Sequence, residues 1–125
     1  MVRVASPGAR IVLCDAIASD QKAKADAFNK MERWRDPSTV EFRTLGYLRS
    51  LFMDARLGLP AEEHFQVPYL ANELVARSFP ANDDRDGLLK HIEDSVRGDL
   101  LGMNTRQTSK GIHIAFQAVV LSACR

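Results

Sequence analysis

Ile112-His113-Ile114-Ala115-Phe116-Gln117-Ala118-Val119-Val120-Leu121 is the stretch whose conformation decides the fold of this 125-residue chain. Eight of its ten side chains are apolar, and it lies almost at the C-terminus. As a helix, Ile112, Ala115, Phe116, Val119 and Ala123 make one apolar face and Ile114, Ala118 and Leu121 make another. As a strand, the apolar residues fall on both sides of the alternation. Four β-branched residues favour the strand. The helical patterns that precede it, and the lack of a convincing partner strand other than Arg10 to Cys14, favour the helix. We therefore expect a helix, with a strand as the alternative.

In either conformation the run needs cover on two sides. A chain of this length has few elements to provide it, so a second copy is the economical cover. The expectation is a homodimer with Ile112, Ile114, Phe116 and Val120 in or beside its interface.

Working back along the chain, most segments read as helices. Ser19-Asp20 offers a cap, and Gln21 to Arg35 places Ala27, Phe28, Met31 and Trp34 on one face before Asp36-Pro37 stops it. Ser38-Thr39-Val40-Glu41 has capping-box spacing ahead of a helix running to about Leu57. Leu59-Pro60 opens a short helix from Ala61 to Gln66. Pro68 then suits the first turn of a helix through about Ser78. Leu89, Ile92, Val96, Leu100 and Met103 recur at spacings of three and four. These patterns predict a mainly α fold, a compact bundle of four to five helices. Residues 1–10 form a flexible N-terminal arm and residues 11–125 a single helical domain.

The net charge is +1, so no global field draws in nucleic acid or an acidic membrane. The charge is uneven, however. Residues 22–56 carry eight Lys/Arg against five Asp/Glu, and residues 57–105 carry four against nine. Asp15 cuts short the apolar stretch from Ile11 to Cys14, which excludes a targeting signal. No run approaches the length of a membrane span. A cytoplasmic location is the default expectation.

No motif for catalysis stands out. The glycines are scattered and build no phosphate loop. Cys14 and Cys124 have no metal-ligand spacing and are expected to be reduced thiols. Cys14 also lacks the basic neighbour that would activate it. Glu62-Glu63-His64 is the best cluster of ionisable groups, a set that can move protons or bind a metal. On a helix, though, adjacent carboxylates point in different directions, and H-E-x-x-H is absent. A helix-turn-helix forced onto Ala61 to Phe79 would present bases with little beyond Asn72 and Arg77, so direct nucleic-acid binding is not expected.

Catalytic, cofactor-binding and metal-binding residues are therefore expected to be absent. The function expected is that of a non-catalytic interaction module, a regulator or inhibitor masking a surface of a protein partner, for example an antiactivator. Two stretches are candidates for the partner surface. One is the basic and aromatic set Arg33, Trp34, Arg35 and Arg43. The other is Phe65, Val67, Tyr69 and Leu70, which spans a proline. The alternatives are a small nucleic-acid-associated regulator and an enzyme with an unrecognised site.

Overall fold

The decisive stretch is a strand. The computed structural model describes all 125 residues and places Gly111–Cys124 in a fourteen-residue strand at the centre of a four-stranded sheet. In chain order the elements are β1 (Arg10–Ala16), α1 (Lys22–Arg35), α2 (Leu45–Asp54), β2 (Ala61–Leu70), α3 (Ala71–Ala76), α4 (Arg85–Asp94), β3 (Arg106–Thr108) and β4 (Gly111–Cys124). β1 and β2 flank β4 and both run antiparallel to it, and β3 forms a short hairpin with its start. The fold is α/β, and the expected helical bundle is corrected on that point.

The physical reason lies in the pairing. The Arg10 to Cys14 segment does pair with the C-terminal run, from Arg10↔Cys124 to Ala16↔Ala118. The second partner comes from Ala61 to Leu70, a stretch whose sequence predicts two helices divided at Pro68. Those ten residues form one edge strand, paired from Ala61↔Ser122 to Leu70↔His113. Proline is tolerated on an edge strand because the backbone donor it lacks can face solvent.

The double-sided apolarity of β4 is met by helices of the same chain. On one face Ile114 packs with Phe28 and Met31 of α1, Leu74 and Val75 of α3, and Leu88 and Ile92 of α4. On the other, Val119 and Leu121 pack with Ile11 and with Leu48 and Phe52 of α2.

Local chemistry sets the helix boundaries. The Ser38 capping box does not form; Asp36 Oδ1 instead accepts from the backbone N–H and the hydroxyl of Ser38, which closes a turn. α2 starts later, where Thr44 Oγ1 accepts from Tyr47 N. Buried Asn29 ties the intervening loop to α1: its amide donates to Phe42 O at 3.0 Å and accepts from Phe42 N at 2.7 Å. The Leu89 to Met103 stripe is helical only through Asp94 and then coils through turns. There Asp99 accepts from the backbone N–H of Met103, Asn104 and Thr105.

Candidate functional site

β1 stops at Ala16 while β4 and β2 run on, which leaves a notch of about 450 Å³ past the carboxyl end of β1. In open α/β sheets, ligands bind outside the carboxyl ends of strands. The near wall is the turn from β1 to α1. Ile17 N donates to Gln117 O at 2.8 Å and Ala18 N to Arg43 O at 2.9 Å, so this turn is held to both β4 and the start of α2. Gly102 closes one side with φ +63°; a Cβ there would lie 3.1 Å from Ser19 Cβ, so glycine permits both the turn and the close approach. The floor is Gln117 and Ala118 of β4. The far wall is His64, Phe65 and Gln66 of β2, with Gln66 Nε2 donating to Gln117 Oε1 at 3.1 Å.

The wall at His64 carries an ion pair between Arg49 and Glu62. Glu62 and His64 share one face of β2 because alternate strand residues do. Arg49 of α2 grips the Glu62 carboxylate with two parallel bonds, Nε to Oε1 at 2.5 Å and Nη2 to Oε2 at 2.8 Å. The His64 ring meets Glu62 Oε2 through Nε2 at 3.1 Å. The Arg49 guanidinium, and secondarily His64, hold the Glu62 carboxyl at about 2, below its ordinary 4.5. A carboxylate can only accept, so a neutral His64 carries its proton on Nε2 and leaves Nδ1 as an acceptor. The arrangement is that of a base oriented by a third group.

The sequence singled out Glu62-Glu63-His64 but placed it on a helix, where Glu62 and His64 diverge. Arg49, Gln66 and Gln117 were missed. They reach the site through pairing across 13 and 51 residues, and no local spacing signals that.

Of the residues expected to bind a partner, Phe65 lines the notch and the others lie away from it, with Arg35 and Tyr69 meeting the same Phe116 ring. Arg33 is exposed and donates to Val40 O. Trp34 is half-buried, tilted against His91 at 5.5 Å. Arg35 is bound to Glu32 through two bonds, and Arg43 lies 2.9 Å from Glu41 and over the Tyr47 ring. Phe65 is exposed beside the notch. Val67, Tyr69 and Leu70 are half-buried, with Tyr69 edge-on to Phe116 at 6.0 Å. Of the expected dimer residues, Ile114 is fully buried within the chain, while Ile112, Phe116 and Val120 keep partial exposure. No helix is long and apolar enough to cross a membrane.

No protein-family model matches the sequence, and no curated protein matches it. Two solved structures share the fold. A putative methyltransferase from Bacillus halodurans superposes with a TM-score of 0.83 at 15% identity, covering 98% of this chain and 58% of its own. The YcgJ protein from Bacillus subtilis superposes with a TM-score of 0.76 at 19% identity, covering 99% of this chain and 54% of its own. The chain thus spans a little over half the length of the structures it matches. At these identities the likeness is one of fold. It removes the ground for the inhibitor or antiactivator expectation, which rested on a helical bundle with spare apolar surface, and with it the ground for excluding an enzyme. The chain shares the α/β fold of the matched part of both structures.

Proposed function

We propose that this chain is the acceptor-binding portion of a methyltransferase-type domain, with the notch beyond β1 receiving the group to be methylated. The observation that carries the reading is the superposition of 98% of the chain, at a TM-score of 0.83, on a structure described as a putative methyltransferase. The site chemistry supports it. A nucleophile about to take a methyl group must present a lone pair, and His64 Nδ1, with its tautomer held by Glu62, accepts the proton the nucleophile gives up. Gln66 and Gln117 supply amide donors and acceptors to orient a polar acceptor, while Ile17, Leu45 and Phe65 contact its apolar body.

The chain's own residues do not fit a nucleoside-bearing methyl donor. Such ligands sit at a glycine-rich turn between strand and helix. The turn after β1 is Ile17-Ala18-Ser19-Asp20-Gln21, and β2 passes straight into α3, so neither connection holds a glycine. Donor binding falls to the part of the fold that lies beyond these residues.

The test joins this chain to the part of the Bacillus halodurans protein outside the match. Transfer of label from radioactive S-adenosylmethionine is then measured to small hydroxyl, thiol and amine acceptors. Transfer is expected, with His64→Gln lowering turnover by about 10²-fold. A folded protein that methylates none of the three acceptor classes contradicts the reading.

A further inference from the structure

The sheet face that floors the notch continues beyond it. Alternate residues of β4 share one side of the sheet: Leu121 and Val119 pack with α2, Gln117 floors the notch, and Ala115 and His113 follow. Register sets Gln66, Pro68 and Leu70 of β2 beside Gln117, Ala115 and His113. On the other side of β4 the chain from Met103 to Arg106 runs alongside. Ala115 N donates to Met103 O at 2.7 Å, and Arg106 stands opposite His113 in the β3 pairing. From Gln117 to His113 this track is about 13 Å long, at roughly 3.3 Å per residue.

The far end of the track is built for negative charge. Arg106 is exposed, and its guanidinium reaches the Asn104 carbonyl at 3.5 Å and no carboxylate. Side chains directly opposite in an antiparallel pair are neighbours, so Arg106 stands beside the half-buried His113. Nδ1 of His113 is buried and has no hydrogen-bond partner. With no acceptor there, the proton of the neutral ring sits on Nε2, and the ring offers a second donor next to the guanidinium. Neither Phe65 to Leu70 nor Asn104 to Arg125 holds an acid that could pair with them. Asp99, in the loop before, has its carboxylate taken by the N–H groups of Met103, Asn104 and Thr105, and lies 4.0 Å from Lys24. Between this end and the notch the track is apolar, with Pro68 exposed, Leu70 half-buried and Ala115 buried.

We propose that the acceptor is an elongated molecule with a carboxylate or phosphate at the end remote from the methylated atom, held by Arg106 and His113. Its reacting end lies in the notch beside His64, and its apolar middle follows Pro68, Ala115 and Leu70. This rests on the methyltransferase reading of the notch and adds an anionic subsite to it. The separation of the two ends, about 13 Å by strand rise, selects acceptors long enough to reach both.

Three probes of one chain length test the subsite: ω-hydroxydecanoate, ω-hydroxydecyl phosphate and decanediol. Each brings a hydroxyl to the notch, and only the first two bring an anion to the far end. Binding to the chain is measured by calorimetry, with the His113 ring followed by NMR. At least one anion is expected to bind about tenfold more tightly than decanediol and to shift the His113 signals. The tighter of the two identifies the charged group as carboxylate or phosphate. Arg106→Gln is expected to abolish the preference and leave the affinity for decanediol unchanged, which a loss of folding would not do. Arg106→Lys should restore part of it.

Equal affinity for the three probes overturns the inference. So does an anion preference that survives Arg106→Gln, or a folded chain that binds none of them. Anion preference without methyl transfer in the joined protein keeps the subsite and removes the proposed activity. Methyl transfer to decanediol and ω-hydroxydecanoate with equal kcat/KM keeps the activity and removes the subsite.

Discussion

Glu32 shows how much a single residue depends on its neighbours. Its side chain is fully buried, and both carboxylate oxygens are taken by Arg35, Nε at 2.9 Å and Nη2 at 2.8 Å. Arg35 in turn lies over the Phe116 ring at 5.9 Å, so the pair links α1 to β4. The hydrogen bond to Glu32 raises the Arg35 pKa further, and the guanidinium stays charged. Removing Glu32 leaves the half-buried Arg35 without its partner, so Glu32→Ala is expected to cost roughly 1–3 kcal/mol in denaturant unfolding. Glu62 makes the same kind of pair near the surface and yields a pH signature. Its folded pKa of about 2 lies below the ordinary 4.5. The stability it contributes is therefore complete above about pH 4.5 and is lost as pH falls toward 2. The melting temperature of Glu62→Gln should fall less steeply than that of the wild type between those values. Parallel curves would mean that the Arg49 contact contributes nothing to folding.

At the scale of the element, the conformation of β4 is set by its pairing with distant strands. An apolar run with no clear period is ambiguous between a buried helix and a buried strand. α1 could be read in place, because its stripe of Phe28 and Met31 and its stop at Asp36-Pro37 are local signals. β2 could not, because Pro68 resembles a helix start in sequence, and the edge position that tolerates it is a tertiary fact. The same uncertainty hid the site: Glu62 and His64 share a face only once the segment is known to be a strand. Substitutions along β4 test the assignment. Ile114→Ala, under α1, α3 and α4, should cost about 2–5 kcal/mol. Val120→Ala, half-buried farther along the same face and outside both core clusters, should cost less, about 1 kcal/mol. Equal losses at the two positions in chemical denaturation would mean that the face is covered along its whole length.

The whole molecule is tied together by its two ends. Arg10↔Cys124 begins the β1 and β4 ladder, Gly8 N donates to Arg125 O at 3.0 Å, and Arg125 N donates to Ala9 O at 2.9 Å. Deleting residues 121–125 removes Leu121 from the smaller core cluster together with the end of the ladder. The deletion is expected to abolish cooperative thermal unfolding, and a retained sharp transition would show that β1 is dispensable. Pairing the first strand with the last also makes the contacts non-local, so refolding is expected on the millisecond to second scale rather than in microseconds.

The sequence by itself determined α1 and its stop, the absence of a glycine-rich ligand loop, the charged cluster at residues 62–64, and the need of the C-terminal run for cover on both sides. Only the tertiary structure decided that the run is a strand, that the cover comes from helices of the same chain, and that Arg49, Glu62 and His64 meet beside a notch. Helix stops and loop motifs are written in neighbouring residues. Strand pairing is a choice among distant segments, settled when backbone hydrogen bonds and apolar faces are satisfied together.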